Sequence, residues 1–164
     1  MKPLSELEVL LPELRAYAAF VCTSQSDAED LVQDAVERGL KANTRPSRLE
    51  ELRPWMFRVI RNLHYDELRK RRVRLEYSRE QERLYSEVPG HGFDDVDRMI
   101  VRSAFSQLSD DHREILFLID VMGFKYDEAA MALDVARGTV MSRVSRARAE
   151  MISVLDTSNI SSLK

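Results

Sequence analysis

Apolar residues recur at helical spacing along most of this chain, and no segment sustains the alternation of a half-buried strand. Only five glycines and five prolines interrupt 164 residues, so few positions can break a helix, and an all-α protein is expected. Leu7, Leu10, Leu11, Leu14, Tyr17, Ala18 and Val21 mark a first helix. Ser26 and Glu29 have the spacing of a capping box, in which each side chain satisfies a free backbone N–H at a helix start. The stripe behind them is Ala28, Leu31, Val32, Ala35, Val36 and Leu40. A polar loop, Asn43 to Arg48, leads to a third helix with Pro54 expected in its first turn, where a missing N–H does no harm. Leu52, Trp55, Met56, Val59, Ile60 and Leu63 form that helix's apolar stripe, with Trp55 read as core.

Charge is unevenly placed on these helices. From Arg53 to Arg74 eight basic residues face only Asp66 and Glu67. Arg58, Arg61, Asn62, Tyr65, Arg69 and Arg72 lie together on a face turned away from the apolar stripe. A solvated face would mix signs through i,i+4 pairs, whereas a one-sided basic face with Asn and Tyr interleaved suits phosphates and bases. The second helix is the reverse: Asp27, Glu29, Asp30, Asp34 and Glu37 stand against Arg38, and Asp30, Gln33, Asp34 and Glu37 project from its polar side. Acids in a first turn favour the helix dipole, which accounts for Asp27, Glu29 and Asp30 but not for Asp34 or Glu37. A docking face for a basic protein partner accounts for all of them, and charge alone leaves both readings open.

The expected organisation is one helical domain over 1–75, an acidic flexible linker over 76–95, a second helical domain over 96–155 and a disordered tail over 156–164. Between Glu76 and Asp97 seven acids oppose Arg79 and Arg83, and Pro89-Gly90-His91-Gly92 breaks any helix. Val96, Met99, Ile100 and Ala104 then face one way. Ser109 is placed to cap the next helix, whose core side is Ile115, Leu116, Leu118, Ile119 and Met122, with Gly123 closing it.

Tyr126 to Arg148 reads as a short helix, a tight turn and a second helix, the pattern of a DNA-reading helix-turn-helix. Ala129, Ala130, Leu133, Val135, Val140 and Val144 are its packing positions. Arg137, Thr139, Met141, Ser142, Arg143, Ser145 and Arg146 are left to face outward, where Arg can bond guanine bidentately and Ser and Thr can reach phosphate or base edges. A net charge of −3 makes such a cationic helix a local feature and not a property of the whole chain.

Other functions are disfavoured. No apolar run spans a bilayer and no secretory segment opens the chain, so a cytoplasmic location is expected. The single Cys22 lies in an apolar stretch and reads as a structural thiol. His64, His91 and His112 are far apart, without partners at ligand spacing, so neither metal nor cofactor is expected. No acid/base pair or nucleophile arrangement points to an enzyme.

Taken together, Asp27–Ala42 (DAEDLVQDAVERGLKA), Leu52–Arg72 (LRPWMFRVIRNLHYDELRKRR) and Leu108–Arg148 resemble the extracytoplasmic-function (ECF) group of bacterial RNA polymerase sigma factors, in order and separation, over nearly the whole chain. The resemblance implies two helical domains, sigma region two and region four, joined by a linker. It implies that Asp30, Gln33 and Asp34 dock on the β′ coiled coil of core RNA polymerase, which favours the docking reading of the acidic helix. Arg58, Arg61, Asn62, Tyr65, Arg69 and Arg72 would engage the −10 promoter element, and the loop Asn43 to Glu51 would capture a flipped base. Arg137, Thr139, Met141, Ser142, Arg143, Ser145 and Arg146 would read the −35 element, and the apolar surface around Ile115 to Phe124 would help meet the β flap. An anti-sigma factor is the further partner implied. The chain departs from the family at the turn, where Asp134 stands for a frequent Gly, and at Met141 and Ser145, where basic or larger residues are usual. Two rivals are a sigma-like decoy that sequesters an anti-sigma factor and a dimeric helix-turn-helix repressor. The first has no use for the two basic helices, and the second does not explain the acidic helix.

Overall fold

The computed structural model describes residues 3–77 and 96–162. Among them every regular element is helical, and they fall into two compact units. The acidic segment expected as a linker, 76–95, lies outside the described residues except for Glu76 and Tyr77, which end the third helix.

The first unit consists of α1 (Pro3–Val21), α2 (Gln25–Lys41) and α3 (Leu49–Tyr77), each packed on the other two. Leu7, Leu10, Leu14, Tyr17 and Ala18 of α1 meet Ala28, Leu31, Val32 and Ala35 of α2 and Leu52, Met56 and Ile60 of α3 in one core. Phe57 joins them, fully buried and stacked on Tyr17 with ring centroids 4.8 Å apart. Near the end of α2 the backbone itself approaches α3: a Cβ on Gly39 would stand 2.9 Å from the Met56 sulfur.

Several boundaries differ from those expected. Ser24, not Ser26, caps α2: its backbone is extended and its hydroxyl accepts the Asp27 N–H at 3.1 Å. Ser26 therefore lies within the first turn, and Glu29 accepts from the Gln25 amide instead of closing a capping box. The third helix starts at Leu49, where the Leu52 N–H reaches the Arg48 carbonyl at 2.8 Å, so Pro54 sits in the second turn. There its missing N–H leaves only the carbonyl of Glu50, an exposed residue, without its helical donor. Trp55 is half-buried and not full core, since it lies at the bundle edge beside Gly39, and Leu40 is exposed beyond that contact.

The second unit is built around α4 (Val96–Ser106), α5 (Asp110–Leu116), the start of α6 (Tyr126–Leu133) and α7 (Arg137–Ser162). Ser109 caps α5 as expected, accepting the His112 N–H at 3.3 Å. The helix then widens into a π turn over Phe117–Val121 before Gly123 closes it at φ +69°, a left-handed backbone that glycine adopts without strain. Ala104, Leu108, Ile115, Leu116, Leu118, Phe124, Val140, Val144 and Ala147 are buried. Met99 points outward at 72% exposure, so it leaves the core face expected of α4, on which Ala104 is buried and Ile100 half-buried.

The polar tail expected to be disordered from Asp156 is a continuation of α7 through Ser162. No glycine or proline interrupts it, Val154 and Leu155 are half-buried, and the Thr157 and Ser158 hydroxyls donate to the carbonyls of Ser153 and Val154.

Phe57→Ala should lower the first unit's stability by about 3–5 kcal/mol. The readout is the urea midpoint followed by fluorescence of Trp55, the chain's one tryptophan, and a loss below about 1 kcal/mol would contradict the packing.

Candidate nucleic-acid interface

The helix-turn-helix is set by short-range backbone chemistry. The Lys125 N–H donates to the Glu128 carboxylate at 2.8 Å and starts α6. Asp134 takes φ +54°, as a short polar residue can, and the Val135 N–H returns to the Ala130 carbonyl at 3.0 Å. Val140, Val144 and Ala147 are buried along α7, which fixes the helix's rotation. Arg137, Met141, Ser145 and Arg146 are exposed, but Thr139, Ser142 and Arg143 are half-buried, so the outward face is narrower than expected.

Internal carboxylates engage much of the cationic helix. Arg137 pairs with Asp127 at 3.0 Å, lies over the Tyr126 ring and donates to the Met141 sulfur at 3.7 Å. Arg143 stands 4.0 Å from Asp111. Arg148 is held by Asp120 at 2.7 Å, and this hydrogen bond pushes its pKa above the ordinary arginine value. Arg146 is exposed, with no ion pair among the described residues.

On α3 the expected face is assembled. Arg58, Arg61, Asn62, Tyr65, Arg69 and Arg72 lie opposite the buried Met56 and Ile60 line, with Asn62, Arg69 and Arg72 exposed and the others half-buried. The Arg61 guanidinium sits 4.6 Å over the Tyr65 ring, and Arg69 pairs with Asp66 at 3.0 Å.

Two other arginines of the basic run Arg53–Arg74 act as staples. Arg53 reaches Glu13 of α1 at 2.6 Å, and Arg71 grips both Asp27 carboxylate oxygens at 3.1 and 3.3 Å while also pairing with Glu67. These are the residues that sequence reasoning missed as structural, since their partners lie some forty positions away.

Among the described residues, the acids of α2 divide into paired and unpaired positions. Asp27 is engaged by Arg71, Glu29 by Gln25 and Glu37 by Lys41 at 2.5 Å, while Asp30, Gln33 and Asp34 remain exposed on the side away from Leu31, Val32 and Ala35. Ahead of α2, Cys22 lies 4.0 Å from His64. Burial, then the Asp27 charge, pushes the thiol up to about 11, so it stays protonated at neutral pH. Burial, then the charges of Arg71 and Arg61, lowers His64 below the ordinary histidine value and keeps it neutral.

The apolar surface expected from Ile115 to Phe124 is largely absent. Ile115, Leu116, Leu118 and Phe124 form the unit's core, and of the large side chains there only Val121 is well exposed. The loop expected to run to Glu51 ends at Arg48, because Leu49–Glu51 form the first turn of α3. Among the described residues no cluster of His, Cys, Asp or Glu is placed to hold a metal, and no helix is long and apolar enough to cross a membrane.

A helix-turn-helix in one unit and an arginine-faced helix in the other define a two-domain, all-α protein of the nucleic-acid-binding class. Residues 7–74 match the family model for Sigma-70 region 2, and residues 98–151 match that for Sigma-70, region 4. The ECF RNA polymerase sigma factor EcfG of Rhodopseudomonas palustris is 32% identical over 150 residues, covering 88% of this chain and 80% of that protein. The RNA polymerase sigma factor NccH of Alcaligenes xylosoxydans xylosoxydans is 33% identical over 143 residues, covering 83% and 77%. Among solved structures, the sigma factor RpoE of Bartonella quintana, in complex with the anti-sigma factor NepR, superposes with a TM-score of 0.74 at 34% identity, covering 93% of this chain and 95% of that one. The chain belongs to the ECF sigma factors of RNA polymerase.

The Arg71 staple gives a pH-dependent prediction. Its hydrogen bond holds the Asp27 carboxyl below the ordinary 3.8, so the stabilisation is present above that value and is lost as pH falls through the lowered one. Arg71→Ala should cost less than about 1 kcal/mol near neutrality, because the pair is partly solvated. The difference from wild type should vanish in acid below the carboxylate range, and a difference that persists there would show that Arg71 acts by packing alone.

Proposed function

We propose that this chain is an alternative sigma factor, a cytoplasmic protein that binds core RNA polymerase and directs initiation at promoters bearing matched −35 and −10 elements. The observation that carries this reading is the pairing of two differently charged faces in one unit. Exposed Asp30, Gln33 and Asp34 on α2 offer a docking surface for the β′ coiled coil, and the α3 face from Arg58 to Arg72 is offered to the −10 strand. The family membership supports both roles.

In this reading the α3 cations supply affinity and register through phosphates. Tyr65 and its neighbours, with the loop at Asn43–Arg48, receive an unstacked base of the non-template strand, which offsets part of the cost of melting. In the other unit α7 enters the major groove of the −35 duplex, presenting Arg137, Thr139, Met141, Ser142, Arg143, Ser145 and Arg146 from its N-terminal half. Exposed Val121 is the apolar point left for the β flap. The role needs no catalytic group, metal or cofactor. An anti-sigma factor covering these faces would hold the protein inactive, and the Bartonella relative's complex with NepR supports that partner. A decoy that only sequesters such a factor has no use for exposed Arg69, Arg72 and Arg146.

In vitro transcription tests the proposal. Core polymerase should initiate from a cognate promoter only when the protein is added, and binding without initiation would favour a decoy or repressor. Asp30→Ala combined with Asp34→Ala should weaken core binding at least tenfold with the unfolding midpoint unchanged, since neither residue is in the core. Unaltered core affinity would place the docking face elsewhere.

A further inference from the structure

One exposed side chain on the reading helix is not explained by phosphate binding. Met141 is 46% exposed in the N-terminal half of α7 and lies off the line of Val140, Val144 and Ala147, each at most 2% exposed, that holds the helix in its unit. An unbranched thioether outside that buried core is nonetheless held in place. Its sulfur accepts from the Arg137 guanidinium at 3.7 Å. Arg137 is in turn fixed by Asp127 at 3.0 Å and lies 5.9 Å from the centre of the Tyr126 ring.

The surface around Met141 is cut low. A Cβ on Gly138 would meet nothing within 4 Å. Ser142 donates its hydroxyl proton to the Thr139 carbonyl at 3.1 Å and so does not offer it to a base acceptor. The B-form major groove is about 12 Å wide, and an α-helix with its side chains about 10–12 Å across. A helix trimmed at Gly138, Ser142 and Ser145 therefore seats closely, and Met141 is the longest side chain there that is not charged.

A thioether has no hydrogen to donate and accepts only weakly. In the major groove one base-edge group is apolar, the C5-methyl of thymine. We propose that Met141 is a specificity-determining residue that packs on a thymine methyl in the −35 duplex, and that Arg137 is a positioning residue acting through Met141. The inference deepens the promoter-binding reading and rests on it.

The test uses holoenzyme assembled from this chain and core polymerase, on a promoter selected from duplexes randomised in the −35 element. Each thymine of the selected element is replaced in turn by uracil, which removes only the methyl. One position should lose about three- to fourfold in affinity, the worth of one methyl group. Met141→Ala should make thymine and uracil equal there, while Met141→Leu should keep the discrimination. Arg137→Ala should narrow the ratio without the fall of about one in salt slope that loss of a phosphate contact produces. A selected element without thymine, or methyl sensitivity that survives Met141→Ala, overturns the proposal and leaves the sigma-factor reading intact. Absence of any promoter-specific initiation by the wild type overturns both.

Discussion

The buried stripe of α3 is the constraint on which the rest of the first unit depends. Leu52, Met56, Phe57 and Ile60 have no exposed surface, and exposing any one of them would cost roughly 1.5–3 kcal/mol. The helix therefore cannot turn about its axis, and this packing, with the Arg53 and Arg71 staples, holds Arg58, Arg61, Asn62, Tyr65, Arg69 and Arg72 on the opposite face. Val140, Val144 and Ala147 do the same for α7. In both units the residues proposed to meet DNA lie off the core line, and the core decides where they point.

Electrostatics divides the arginines by task. Arg53 and Arg71 tie α3 to α1 and α2, and Arg148 ties α7 to the turn that follows α5. Each such pair is partly solvated and modestly stabilising, but each also removes a cation from those available to phosphate. What remains exposed is a small set on each helix within a chain of net charge −3. Two short cationic faces on an acidic protein give little electrostatic affinity by themselves. In the proposed function, polymerase supplies what the chain lacks, a scaffold that presents both faces to one DNA.

Much of this was legible in the sequence. The all-α class, the helix-turn-helix, the Ser109 cap, the Gly123 stop and the tolerance of Asp134 for a left-handed turn all rest on short-range rules, and the structure bears each of them out. Ser24 and Ser26 each have an acid three residues on, so the pattern could not choose between the two caps. Phe57 escaped because α3 packs on two helices, and the buried face is wider than a single i, i+3, i+4 stripe. The staples escaped for another reason: whether an arginine faces DNA or a distant carboxylate is decided by tertiary packing, and helical periodicity treats the two alike. The same blindness set Arg143 among fully outward residues, although it is half-buried near Asp111.

In the proposed function, α3 and α7 need polymerase to act on a promoter. Fluorescence anisotropy on a labelled cognate promoter duplex at physiological salt, with and without core polymerase, addresses it directly. The isolated chain should bind no tighter than the roughly 10⁻⁴–10⁻⁶ M typical of non-specific association, and should not distinguish a scrambled −35 element. With core polymerase, binding should tighten by at least about a thousandfold and become specific. Tight, sequence-specific binding by the isolated protein would contradict the account.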